Sequence, residues 1–190
     1  MYQQLKDNII KLHFINDEEW VNLLPLWHFK EIKKGHQLLK EGEVCSSVYF
    51  IIEGCCRIFF LNEGKEISRQ FFFENAFFTE LASFNTQNPS LYYMDALEDS
   101  KLFAISYKDL TALYDKSPAF LRFGKLMADQ TAIFLINRNV EIVTTHAKER
   151  YLKLMKERPK VMQRVPQYMI ASYLGITPEA LSRLRREILL

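Results

Sequence analysis

The stretch QYMIASYLGITPEALSRLRR, residues 167–186, decides how the chain is read. It lays onto two helices joined by a tight turn. Ile170 and the small Ala171 fall inside the first helix, where an alanine lets a second helix approach closely, and Leu174 closes it. Gly175 takes the turn, where a positive φ is needed. Ile176 plugs the corner. Thr177 stands as N-cap, Pro178 at the first helical position and Glu179 at the positive end of the helix dipole. Leu181, Leu184 and Ile188 form the buried stripe of the second helix. The pattern predicts a helix-turn-helix.

The opposite face of that second helix carries Glu179, Ser182, Arg183 and Arg186, spaced i, i+3, i+4 and i+7 along about two turns of one surface. An arginine can bond guanine O6 and N7 with two parallel hydrogen bonds, and a carboxylate can accept from cytosine N4. Ser182 suits a base or a phosphate, and Arg185 and Arg186 are better placed for the backbone. A carboxylate facing phosphates is repelled, so Glu179 makes sense in this row if it reads a base. The plain alternative is an αα-hairpin with a salt-bridged surface, since Glu179 and Arg183 form an i,i+4 pair.

Charge supports the first reading. Residues 146–190 hold ten Lys and Arg against four Asp and Glu, a net of +6, whereas residues 1–145 carry 15 against 19, a net of −4. The whole chain shows only +2. A small basic module joined to a mildly acidic body points to a polyanion partner for the module.

Upstream of the module the pattern is mixed. With 190 residues, 48% hydrophobic and 14% aromatic, the chain is globular in composition. Residues 1–28 read as helical, with Leu5, Ile9 and Leu12 on one face and a second start at Asn16–Asp17. From Phe29 to Ser106, short β-rich runs (FKEI, QLLK, VYFIIEG, CRIFFL, KEISRQFFF, LYYMDAL, KLFAIS) alternate with turn signals and predict an antiparallel sandwich or barrel. Asn62-Glu63-Gly64 is a hairpin signal. Tyr107–Lys116 reads as a short helix, followed by a long one from Pro118 to about Thr145 and a third over Ala147–Arg158, ending before Pro159. In the long helix Leu126, Ile133, Ile136, Val140 and Val143 follow an a/d seam, while Phe120, Phe123, Met127 and Phe134 supply a second apolar face. Such a helix must be covered twice, by the β-rich body and by a second copy of itself, the plain alternative being one interior helix of a monomer. No run approaches the roughly 20 apolar residues that span a bilayer, no secretory leader is read at the start, and three cysteines without C-x-x-C spacing suit a reducing cytoplasm.

Taken in this order, the residues resemble the cyclic-AMP receptor/fumarate–nitrate regulator (Crp/Fnr) family of bacterial transcription factors. GHQLLKEGEVCSSVYFIIEGCCRIFF looks like the front of that family's cyclic-nucleotide-binding fold, with Gly35, Gly42 and Gly54 at its turns. AKERYLKLM and VPQYMIASYLGITPEALSRLRR look like its DNA-binding half. The resemblance implies an α+β chain: a β-roll sensor domain at residues 1–116, a long dimerisation helix and hinge at 117–145, and a helix-turn-helix, winged-helix-like, DNA-binding domain at 146–190. It implies a homodimer on a near-palindromic duplex, with RNA polymerase as a further partner, and contacts to DNA from Thr177, Glu179, Ser182, Arg183, Arg185 and Arg186.

The ligand site departs from the family's pattern. Nucleotide-binding members follow a Gly-Glu-Leu run, ten residues after the Glu, with an Arg and then Ser or Thr. Here Thr79-Glu80-Leu81 supplies the carboxylate, but the Arg slot is Ser90 and the next is Leu91. A cyclic phosphate buried without a cation is strongly disfavoured. Leu135 and Ile136 fall where polar base contacts are expected. The expectation is an effector other than cyclic AMP, or none, bound if at all among Glu80, Leu81, Ser90 and Leu91, with Phe71–Phe73, Phe77, Phe78, Tyr92 and Tyr93 flanking the missing cation. An iron–sulfur sensor needs four cysteines, and His13, His28, His36 and His146 show no haem setting. Cys55 and Cys56 are expected to face opposite sides of a strand as buried thiols. No nucleophile–base set or metal spacing is present, so the reading is a regulator, not an enzyme, with no cofactor and no metal. The competing readings are a small-molecule-binding protein without DNA binding and an interaction module whose cavity packs shut.

Overall fold

The computed structural model describes residues 1–12 and 14–189, the side chains of Leu12 and Leu189 aside, so the expectations for the Leu12 side chain and His13 lie outside the described residues. Two short helices, α1 (Tyr2–Leu12) and α2 (Asp17–Leu23), lead in. Asn16 starts α2 with a full capping box, its side chain accepting from the Glu19 amide while Glu19 accepts from the Asn16 amide. Eight strands follow: β1 (His28–Ile32), β2 (Gln37–Leu39), β3 (Ser47–Glu53), β4 (Cys55–Asn62), β5 (Lys65–Phe73), β6 (Phe77–Phe78), then after helix α3 (Leu81–Thr86), β7 (Tyr93–Ala96) and β8 (Ser100–Ser106). The remainder is helical: α4 (Tyr107–Lys116), α5 (Pro118–Thr144), α6 (Ala147–Glu157), α7 (Pro159–Arg164), α8 (Gln167–Leu174) and α9 (Pro178–Leu189).

The strands form two four-stranded antiparallel sheets, ordered β1-β8-β3-β6 and β2-β7-β4-β5. The hairpin signal holds: Glu63 and Gly64, both at positive φ, join Asn62 and Lys65 in a two-residue loop. Gly54 has φ +109 and lies so close to Ser100 that a Cβ there would sit 2.1 Å from its Oγ, which excludes any other residue. Between the sheets lies an aromatic core in which Phe50, Phe103 and Ile105 are fully buried, joined by Leu5 and Ile9 from α1.

Alternation along β4 sends Cys56 and Ile58 into this core and Cys55 to the opposite side, as expected for adjacent strand residues. Cys55 joins a second core built mainly by α6–α9, together with Phe71, Phe73 and Leu97. The basic helices therefore pack on the outer face of the second sheet. All three cysteines are free and buried, and burial pushes the Cys55 thiol up to about 12.

Helix α5 has the two faces that its periodicity predicts. Phe120 and Phe123 are buried against the β-roll, with Phe123 meeting Phe77 edge-on at 5.5 Å. Ile133, Ile136, Val140 and Val143 are 58, 63, 55 and 80% exposed. Two expectations are sharpened and one is corrected. The third helix ends at Glu157, before Pro159 as expected, and Pro159 then opens α7, because a proline fits the first turn. Among the described residues no strand follows β8, so residues 146–189 are seen as helices alone. Phe71 and Phe73 do not flank the missing cation; they face the second core, and Tyr93 stacks outward on Phe59 at 5.0 Å.

Candidate nucleic-acid interface and ligand pocket

The helix-turn-helix forms as its residues dictate. Gly175 has φ 71 and its amide donates to the Ala171 and Ser172 carbonyls, while the Ile176 amide donates back to Ala171 at 3.0 Å. The Thr177 hydroxyl accepts from the Ala180 amide at 3.2 Å, capping α9. Ile170 and Ala171 are fully buried, and Leu174 and Leu181 nearly so. This packing leaves Thr177, Glu179, Ser182, Arg183 and Arg186 exposed and Arg185 half-buried. Arg186 Nη2 lies 3.5 Å from Ser182 Oγ. The Glu179 carboxyl is held below its ordinary range by its own backbone amide, then by the Thr177 hydroxyl and the Arg183 charge.

The basic charge of residues 146–190 does not all face solvent. Arg164 pairs with Glu74 at 2.8 Å and Glu98 at 2.5 Å, Lys160 with Glu74 at 2.7 Å, and Lys153 with Glu141 at 2.9 Å. Burial raises the Glu74 carboxyl, but hydrogen bonds from Arg164 and Lys160 outweigh this and hold it at about 2. Ser172 on α8 completes the docking. Its hydroxyl accepts from the Ser68 amide at 2.8 Å and donates to the Glu66 carbonyl at 3.0 Å, along the open edge of β5. Apart from Lys153–Glu141, these contacts join residues 66 to 106 apart, beyond the reach of any local pattern. Only the excess of acidic residues in the β-rich part hinted at them.

The ligand-pocket residues do not form one cavity. Glu80 is the N-cap of α3, accepting from the Ala82 and Ser83 amides at 3.1 and 2.9 Å. Ser90, in the slot of the missing arginine, donates its hydroxyl to the same carboxylate at 3.1 Å. Both side chains are buried, at 6 and 3% exposure. Leu91 is 73% exposed and points away. Leu81 alone of the four lines the neighbouring cleft, a space of about 850 Å³ between α5 and the β5–β6 region, walled by Phe72, Phe77, Phe123 and Phe134. The polar groups at the expected ligand positions satisfy one another.

Residues 29–117 match the model of the cyclic nucleotide-binding domain. No curated protein sequence matches the chain. Among solved structures, FixK2 from Bradyrhizobium japonicum aligns at a TM-score of 0.74 with 16% identity, covering 85% of this chain and 84% of that one. A protein from Eubacterium rectale assigned to the Crp/Fnr family of transcriptional regulators gives 0.72, 16%, 92% and 84%. CLP of Xanthomonas campestris, a global regulator responsive to c-di-GMP, gives 0.70, 17%, 92% and 92%. The chain is thus a β-roll joined by a long helix to a helix-turn-helix. It has the Crp/Fnr fold, with a cyclic nucleotide-binding domain at residues 29–117. No helix among the described residues is long and apolar enough to cross a membrane.

Proposed function

We propose that this protein is a sequence-specific, DNA-binding transcription regulator that acts as a homodimer in the cytoplasm and is not an enzyme. The observation that carries the reading is the exposed row Glu179, Ser182, Arg183 and Arg186 on a capped helix whose other face is buried. Side chains in this arrangement suit base edges in a major groove, with Thr177, Arg185 and Arg186 on the backbone. The uncovered stripe Ile133, Ile136, Val140 and Val143 supports a second copy along α5, which sets two recognition helices on successive half-sites of a near-palindrome. Residues 1–116, 117–145 and 146–190 then serve as sensor, dimer helix and DNA-binding module, with RNA polymerase as a further partner.

The closed Glu80–Ser90 pair supports an effector other than cyclic AMP, or none. The cleft beside α5 offers mainly aromatic and apolar walls to any such effector, with Lys11, Lys125, Arg158 and Lys160 also on its lining.

Fluorescence anisotropy on labelled duplexes tests the reading. The regulator binds with two chains per duplex, loses affinity steeply with salt and discriminates between sequences. Arg183→Ala costs about 1–3 kcal/mol and relaxes preference at one base pair. Uniform weakening across all sequences would make Arg183 a phosphate contact, and salt-insensitive or absent binding would overturn the proposal. Calorimetry showing micromolar cyclic-AMP binding would overturn the effector reading.

A further inference from the structure

A second cleft, of about 250 Å³, lies where α5, α6 and α8 meet, on either side of the break between α5 and α6. Arg138 comes to it from α5, Arg150 and Lys153 from α6, and Arg158 from the residue that follows α6. Lys153 is neutralised by Glu141 at 2.9 Å. The three arginines meet only neutral oxygens. Arg138 Nη2 donates to the Tyr173 carbonyl, Arg150 to the Thr145 and Leu174 carbonyls, and Arg158 to the Tyr173 hydroxyl at 3.4 Å and the Phe71 carbonyl at 2.5 Å. No carboxylate lies within ion-pair distance of any of the three among the described residues.

Arg138 is the sharpest case. It is 7% exposed, its guanidinium lies 3.5 Å over the Tyr173 ring, and its Nε–H has no acceptor. The Arg150 Nε–H is also buried without one. Buried charges are ordinarily paired, since the cost of desolvating them is otherwise not recovered. Burial, with repulsion from Arg69 and Arg158, draws the Arg138 guanidinium below its ordinary range despite the attraction of Tyr173 and Glu141. The positive charge gathered here thus exceeds what Glu141 and the exposed rim residue Glu157 supply.

We infer that this cleft binds a small, diffusible phosphate-class dianion between Arg138 and Arg150, tying α5 to α6 and α8. Guanidinium forks match the oxygens of a tetrahedral anion, and the lining suits a compact polar ligand, unlike the aromatic cleft on the sensor side. The inference does not depend on DNA recognition by α9.

Inorganic phosphate and pyrophosphate, titrated into the full chain at constant ionic strength against chloride, test it by calorimetry and by the melting temperature. Saturable heat and a melting point that rises with ligand by mass action are expected. Arg138→Gln weakens binding about tenfold or more, since it removes a charged hydrogen-bonding group. Because that variant could also loosen the fold, Glu157→Gln provides the opposite sign. Removing this rim carboxylate tightens binding about two- to threefold, which no folding defect can do. Phosphate that behaves as chloride does, or a Glu157→Gln variant that binds no better than the parent, overturns the inference. So does competition in which duplex DNA displaces phosphate one for one, since the cleft then serves the DNA backbone.

Discussion

Glu80 and Glu179 both stand at helix starts, and their surroundings have opposite characters. Glu80 caps α3 from inside the β-roll, where two amides and the Ser90 hydroxyl satisfy its carboxylate. Glu179 sits in the first turn of α9 in full contact with solvent, lowered by its own amide, by Thr177 and by Arg183. The helix dipole favours an acid at both places. What differs is whether a ligand could still reach the carboxylate. In the β-roll the polar groups have closed on one another, so the remaining space is aromatic. On α9 the polar row is held out by a core made of Leu181 and Leu184. The β-roll thus keeps Glu80 and Ser90 as an internal hydrogen-bond set.

The comparison breaks first at Glu80. Glu80→Ala removes the acceptor of the Ala82 and Ser83 amides and leaves the buried Ser90 hydroxyl only the Tyr92 carbonyl at 3.3 Å. Loss of the cap and of these partners costs about 3 kcal/mol, a fall of about 6–12 °C in melting temperature for a chain of this size. Glu80→Gln, which keeps an acceptor, loses less than half of that. A thermal melt of Glu80→Ala within a degree of the parent would show that the carboxylate is not structural and would reopen it as a ligand group.

Glu179→Ala sharpens the contrast from the other side. The residue is exposed, so stability changes by less than about 0.5 kcal/mol. Binding selections on randomised duplexes, by contrast, lose about 1–3 kcal/mol of discrimination at one base pair. If stability falls while sequence preference stays, Glu179 is a helix-start acid like Glu80 and the contrast is gone.

How much of this was legible from the residues follows from the range of the interactions. The helix-turn-helix was readable because its determinants are local: Ala171, Gly175, Thr177 and Pro178 lie within eight residues and each has a fixed steric or capping reason. The two faces of α5 were readable because a 27-residue helix repeats its period many times. Strand β6, at two residues, and α3, at six, are too short to show any period. Pro159 marks the end of α6 in the sequence but not the start of α7, because a proline ends one helix as readily as it begins the next. The docking of α8 on β5 and the ion pairs of Glu74 depend on partners more than 80 residues away, so no local pattern encodes them. The departure at Ser90 was visible in the sequence, but not its bond to Glu80, which needs the loop after α3 to fold back.

The smallest effect concerns the contact that joins the two regions. Glu74 has its carboxyl at about 2 in the folded chain against an ordinary 4.5, since the hydrogen bonds from Arg164 and Lys160 outweigh the opposing burial. A group depressed in this way contributes stability that is fully present above about pH 4.5 and is lost as the pH falls toward 2. The site is partly open to solvent, so the contribution is modest and screened by salt. Melting temperatures between pH 7 and pH 3 should therefore hold level and then decline below about 4.5. Arg164→Gln should flatten part of that decline, because Glu74 then keeps only Lys160 as a cationic partner. In the parent the decline should shrink at high salt. An acid limb identical in Arg164→Gln and parent would mean that protonation of other carboxylates governs it. The basic helices would then be held on the sheet by Phe71, Phe73 and the Ser172 hydroxyl, with the ion pairs adding nothing measurable.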